Sequence, residues 1–223
     1  MDWIDDFSGT VPLFPLPNVA LFPHVVQALH MFEPRYRQMT ADAVAGDGFV
    51  ALAVLKPGYD DHYNRKDAPI YPTVCLGRIT SSRELADGRW DVTVQGLCRA
   101  TVERELPGDD LYRVGELSLR PDSLDTDSDE ARRVVGGVVE AFGRLYPKMA
   151  DHPLVAKMLR SELPCSVLCD FIAHAAEIET ETAARILCEA DVCSRGRILT
   201  GWLNARLATQ PGRRPFPPEF SAN

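Results

Sequence analysis

The residues of this chain with chemistry to offer are its cysteines, its histidines and a group of tyrosines. Cys165-x-x-x-Cys169 and Cys188-x-x-x-x-Cys193 could supply four thiolates to a structural zinc ion. Their spacings, however, put each pair on or beside a helix rather than in Cys-x-x-Cys knuckles, and buried cysteine is common as a small apolar residue. No metal ligand set is expected. His24, His30, His62, His152 and His174 are scattered, with no two at ligand spacing. His30 reads as a packed or hydrogen-bonded structural residue. Glu33 and Arg35 flank a helix start, where Glu33 can stabilise exposed N–H groups and Arg35 can pair with a nearby carboxylate. Tyr59, Tyr63 and Tyr71 fall in one long turn-rich stretch, Lys56 to Pro72. Tyrosine gives amphipathic contact area at low entropic cost, so these three are candidate peptide contacts. The competing reading is that they pin their own loop to the fold. There is no Gly-x-x-x-x-Gly-Lys-Ser/Thr phosphate loop, and neither a catalytic constellation nor a cofactor site is expected.

The elements that would position these residues begin at Val11–Arg37. Pro12, Pro15, Pro17 and Pro23 each remove a backbone donor, so this apolar run cannot be one helix or one central strand. Leu13, Phe14, Leu16, Leu21 and Phe22 carry too much apolar surface for a solvated loop, which leaves short extended pieces lying on a core. Pro34 suits the first turn of a helix that Gly46 and Gly48 end. Phe49 to Leu55 is a continuous apolar run and reads as a strand buried on both faces. Strand alternation slips at Gly77, Gly96 and Gly115, each a candidate bulge, and Asp87-Gly88 is a hairpin turn. From Trp90 one long strand runs on to Val102, bent at Gly96. Several strands with such bulges describe a coiled sheet or barrel.

Acidic, Ser- and Thr-rich residues from Pro121 to Glu130 mark a linker, with a helix cap at Thr126, Asp127 or Ser128. Helices follow: one with Val135, Val138 and Phe142 on a face, one capped by Asp151, one started by Pro164, one around Ile186 and one from Ser194. Short connections predict an antiparallel bundle. The expected division is a β-rich part over 1–122, a helical part over 123–210 and a Pro-rich tail over 211–223.

The series Leu-Phe-Pro-Leu-Pro-Asn-Val-x-Leu-Phe-Pro, followed by Leu-His-x-Phe-Glu-Pro-Arg-Tyr-Arg, resembles the opening of the Lon protease N-terminal (substrate-binding) domain, especially its stand-alone bacterial forms. Asp170-Phe-Ile-Ala through Ile186-Leu-Cys-Glu to Arg197-Ile-Leu resembles the helical part that closes that domain, so the resemblance covers most of 11–208. It implies an α+β fold, a PUA-like closed or partly open β-barrel followed by a C-terminal helical bundle. It also implies a non-enzymatic module that binds unfolded or exposed apolar segments of polypeptide, in the company of a protease. The family's Ser-Lys catalytic motif is missing here. One departure stands out: after Phe22-Pro23 the family usually has Gly, and this chain has His24. A turn needing positive φ there would be strained.

PUA-like folds elsewhere bind RNA, which makes RNA binding the alternative. The net charge of −8 weighs against it, and residues 1–127 alone carry 12 basic and 20 acidic side chains. The same acidity speaks against an anionic membrane partner. Met-Asp-Trp-Ile-Asp-Asp-Phe at the start lacks the basic flank and apolar core of a signal peptide, so a cytoplasmic protein with reduced cysteines is expected.

Overall fold

The computed structural model describes residues 4–59, 63, 66–122 and 127–209. The candidate cap Thr126 with the rest of 123–126 in the acidic linker, His62 and the Pro-rich tail lie outside them.

The chain opens as the prolines require, in short extended pieces: β1 (Thr10–Leu16) and β2 (Val26–Met31), then α1 (Pro34–Ala45) with proline in its first turn. β3 (Phe49–Val54), β4 (Thr73–Glu84), β5 (Trp90–Leu106) and β6 (Arg113–Arg120) complete the sheet, in the order β2-β5-β4-β3-β1-β6. Because β6 also pairs with β5, strands β1, β3, β4, β5 and β6 form a closed ring, and β2 hangs on the first half of β5 outside it. β1 and β3 are parallel and the other pairings antiparallel.

β3 shows why an uninterrupted apolar run was needed. Phe49, Ala51 and Ala53 face the barrel interior with Leu13, Val74 and Leu76. Val50, Leu52 and Val54 face outward into a second core shared with α1 and the helical part. Each parity is buried, as a strand between two cores demands.

The pairings of β5 are irregular, with Leu97 and Glu103 extra on β5 and Thr80 extra on β4. The β5 register against β4 shifts between Leu76 and Gly77 and again between Ile79 and Ser81, and against β6 between Val102 and Arg104. The expected slip at Gly115 is absent: the extra residue belongs to β5 instead. Gly115 is small because Leu13 packs closely over it inside the barrel. Gly96 is needed for close approach, since a Cβ there would run into the Phe22 carbonyl oxygen. The loop between β1 and β2 docks on this residue, with His24 N–H donating to Gly96 O at 2.9 Å and Gly96 N–H to Val25 O at 2.8 Å. His24 pivots the turn at φ 66°, the left-handed conformation that glycine would adopt freely.

The helical part comprises α2 (Asp129–Leu145), α3 (Pro147–Ala150), α4 (Pro153–Leu159), α5 (Cys165–Ala175), α6 (Thr180–Cys188) and α7 (Val192–Thr209). Ser128 caps α2, its hydroxyl accepting from Ala131 N–H. Asp151 closes α3 rather than starting α4, whose first residue is Pro153. Asp191 Oδ1 accepts from Ser194 N–H at 2.7 Å, so α7 begins two residues before Ser194.

The long helices are not antiparallel. Asp127, ahead of α2, accepts from Cys165 N–H at the start of α5, and the Tyr146 hydroxyl, after α2, donates to Ala176 O at the end of α5. Glu130 pairs with Arg197 and Val134 packs on Gly196, which sets the starts of α2 and α7 side by side. α2, α5 and α7 therefore run the same way. The short helices α3, α4 and α6 carry the chain back, which is how brief connections coexist with parallel neighbours.

Candidate functional site

Three regions could act on a partner: the tyrosine loop at one end of the barrel, the junction between barrel and helices, and the surface of the helical part.

At the loop, β3 ends in a bridge from Leu55 to Ile70 that fixes both ends of the connection. Tyr63 then lies against the start of α1. Its hydroxyl donates to Glu33 Oε1 at 2.8 Å, and Arg35 Nη1 donates to the Tyr63 carbonyl at 2.7 Å. Arg35 Nε also donates to Glu33 Oε2 at 3.0 Å, and its guanidinium lies between the Tyr36 and Tyr63 rings, 4.5 and 4.8 Å from their centroids. Burial, reinforced by the hydrogen bond to Glu33, raises the Tyr63 pKa, so its proton stays in place. Glu33 thus departs from the expected capping role. Its carboxylate is engaged by Arg35 and Tyr63, and only its backbone carbonyl serves the helix, accepting from Tyr36 and Arg37. Tyr59 joins Tyr63 at 6.0 Å between ring centroids. Tyr71 stands apart from this group: its N–H bonds Val54 O at 2.9 Å and its ring faces Lys56 Nζ at 5.8 Å. A cleft of about 550 Å³ opens beside the loop, lined by Lys66, Glu105, Pro107, Tyr112 and Arg113. Arg113 is fully engaged there, by Glu105 and by Ala68 O.

The junction between the two parts is filled. Phe14, Leu52 and Cys75 of the barrel share one continuous core with Phe142, Ile172 and Leu199 of the helices. At its edge lies a charge cluster that the sequence did not reveal. Arg99 of β5 donates to Asp170 of α5 through Nη1 at 3.0 Å and Nη2 at 2.5 Å, and through Nε to Leu187 O at 3.1 Å. Arg195 of α7 donates to the same carboxylate at 2.9 Å. Asp122 stands 3.2 Å from Arg99 and 2.8 Å from Arg195. The Arg99, Asp170 and Arg195 side chains are at most 2% exposed. Burial opposes the Arg99 charge, but Asp170 outweighs it and holds the guanidinium above its usual pKa. Two cations and two anions balance, so the cluster joins the halves and leaves no charge over for a ligand.

The helical part carries a second cleft of about 550 Å³, between α2 and the segment joining α4 to α5. Val135, Val139, Leu159, Leu163 and Leu168 form its walls, with Arg132 and Glu162 also lining it. This mixture, apolar walls with a few polar groups, is what a recognition cleft uses.

The pattern closest to catalysis is His30 with Asp91, Nδ1 to Oδ1 at 2.8 Å. A carboxylate orienting an imidazole serves catalysis only if the far nitrogen meets a nucleophile. Here Nε2 faces Arg89 Nη1 at 3.3 Å, and since arginine only donates, Nδ1 carries the proton and Nε2 accepts. Asp91 is held below the usual carboxylate range by Arg83 and then His30. His30 is thus a hydrogen-bonded structural residue. Cys165 and Cys169 lie one turn apart on α5, while Cys188 ends α6 and Cys193 lies in the first turn of α7. Burial pushes the Cys169 thiol up to about 12. Among the described residues no three His, Cys, Asp or Glu side chains converge as a metal site. Among them, too, no helix is long and apolar enough to cross a membrane.

Residues 10–205 match the model of the ATP-dependent protease La (LON) substrate-binding domain. The Lon protease of Desulfatibacillum aliphaticivorans is 25% identical over 200 residues, 89% of this chain and 24% of that protein. The Lon protease of Azorhizobium caulinodans is 31% identical over 135 residues, 60% of this chain and 15% of that protein. The chain thus spans less than a quarter of these relatives. Among solved structures, the N-terminal domain of Mycobacterium avium complex Lon protease superposes with a TM-score of 0.70 at 18% identity, covering 87% of this chain and 98% of that one. A Lon N-terminal domain protein from Xanthomonas campestris gives 0.62 at 21% identity, over 86% and 98%. The ring of strands with helices closing over its outer face is the fold these two share with it. The family match runs from β1 into α7, and the protein belongs to the LON substrate-binding domain family.

Proposed function

We propose that this protein is a non-enzymatic recognition module that binds unfolded or exposed apolar segments of polypeptide and works beside a protease. The observation that carries this reading is the match of residues 10–205 to a substrate-binding domain family. The apolar walls of the helical cleft and the cleft at the barrel end, which Tyr112 lines, support it as contact surfaces. Tyr59, Tyr63 and Tyr71 enter as candidate contacts, Tyr63 through its ring, since its hydroxyl is already engaged by Glu33. Net charge −8 puts RNA behind polypeptide as the ligand. A cytoplasmic setting fits the thiols of Cys75, Cys98, Cys165, Cys169 and Cys188, which form no disulfide.

The test is a fluorescence-anisotropy titration with reduced, carboxymethylated lactalbumin, a permanently unfolded probe. Saturable binding is expected, uncompeted by the native disulfide-bonded form. A flat titration with this probe, or tighter binding of single-stranded RNA at the same low salt, would overturn the reading.

A further inference from the structure

We propose that the outer edge of β2 takes up an extended polypeptide segment as an added strand. This rests on the polypeptide-binding reading and says where and in what form the segment binds.

Each strand of the closed ring has at least two partner strands, whereas β2 pairs only with β5 among the described strands. Its other side carries unused main-chain groups. Ala28 O accepts the Gln27 side-chain amide at 2.9 Å, a local substitute for the N–H of a neighbouring strand. The N–H and C=O of one strand residue point to the same side, so the Ala28 N–H also faces outward, and the two-residue period adds Val26 and His30. Edges that must stay unpaired usually carry lysine, proline or other charges. The β2 sequence, Val-Gln-Ala-Leu-His-Met, has none. The contrast lies in the same flap: the far end of β4, its opposite edge, carries Arg83 and Glu84.

The surroundings suit an apolar extended segment. Val26 and Phe32, 57% and 61% exposed, stand at the two ends of the edge. A depression of about 460 Å³ on the exposed face, lined by Ala28, His30, Ser81, Arg83 and Asp91, lies beside it and can receive a side chain of the added strand. Its charges are already engaged, Asp91 by Arg83 at 2.6 Å and by His30. Length decides between a peptide and a second copy of this chain. Six residues at about 3.4 Å each give an edge of roughly 20 Å. Pairing over that length buries far less than the ~800 Å² per partner of a stable dimer. A short, reversible strand addition fits recognition of many sequences, because main-chain hydrogen bonds supply the affinity.

The test uses the full chain and unfolded carboxymethylated lactalbumin, with amide exchange followed by NMR. Probe binding is expected to slow exchange at Val26, Ala28 and His30 by at least about tenfold, as new strand hydrogen bonds do. Ala28→Pro removes one outward N–H at a position where an edge tolerates proline, and should weaken probe binding by about tenfold. Val26→Lys, which leaves the backbone intact, should weaken it too and guards against misfolding of the first variant. If the wild type binds the probe while both variants bind equally well and these amides exchange unchanged, the edge is not the site, though the polypeptide reading survives. If the wild type binds no probe, both fall. If sedimentation shows a dimer that Ala28→Pro abolishes while probe binding is untouched, the edge pairs with its own copy and the proposal is overturned.

Discussion

Replacing Asp170 by asparagine keeps its shape and removes its charge from a site that is fully buried. In the native protein the carboxylate receives two N–H groups of Arg99 and one of Arg195. Asparagine offers a single acceptor and turns an NH2 toward two guanidiniums. Asp122 would remain as the sole anion near both cations, and it is 17% exposed. Breaking a buried ion pair by removing one partner costs about 3–5 kcal/mol, because the surviving charge stays desolvated. Asp170→Asn should therefore lower the unfolding free energy by about 3–5 kcal/mol, measured by urea denaturation with circular dichroism. The triple variant Arg99→Met, Asp170→Leu, Arg195→Met removes all three buried charges. It should recover most of that loss, since apolar residues of similar volume often match a buried ion network. A loss under about 1 kcal/mol for Asp170→Asn would refute the claim that this carboxylate neutralises two buried cations. A triple variant no more stable than Asp170→Asn would show that hydrogen bonds, such as that from Arg99 to Leu187 O, outweigh the desolvation of the charges.

His24→Gly should stabilise the protein by about 0.5–1 kcal/mol, raising Tm by about 2 °C, because glycine holds φ 66° without the steric cost that histidine bears; an unchanged or lower Tm in calorimetry would count against strain in this turn. Burial lowers the His174 pKa from its ordinary 6.5, so the fold favours the neutral imidazole. Its stability contribution is complete above that value and is lost as pH falls below it, and His174→Gln should flatten the decline in Tm between neutral and mildly acidic pH. Tyr63→Phe removes the hydroxyl donated to Glu33 and should cost about 1–2 kcal/mol in chemical denaturation, an amount that vanishes in a Glu33→Ala background if the bond is the cause.

Elements governed by local rules were legible in the sequence. Prolines cut Val11–Arg37 into β1, β2 and a proline-started helix, and the unbroken run at Phe49 demanded burial on both faces. Helix direction was not legible, because short connections suggest antiparallel neighbours whether or not α3, α4 and α6 occupy the return path. Nor was the charge cluster. Arg99, Asp122, Asp170 and Arg195 are far apart in the chain, and an isolated charge in a strand or helix ordinarily reads as a solvated one. Asp170 stood within a stretch recognisable by resemblance, yet its role appears only when α5, α7 and β5 meet. The edge of β2 was hidden for a similar reason: which strand is left with one partner follows from sheet order, which alternation does not specify.

The same geometry separates what must stay rigid from what is free to bind. Val50, Leu52 and Val54 belong at once to the barrel wall and to the core beneath the helices, so the two parts cannot part without exposing β3. The cluster around Asp170 adds a cost to any sliding, since Arg99 comes from β5 while Asp170 and Arg195 come from α5 and α7. A hinge between barrel and helices is therefore a poor place to admit a polypeptide. What remains are surfaces that leave this joint undisturbed: the cleft between α2 and the segment before α5, the barrel end beside Tyr63, and the flap that carries β2. Of these, β2 alone among the described strands lies outside the ring with a single partner, and an added strand there would extend the sheet without moving either core.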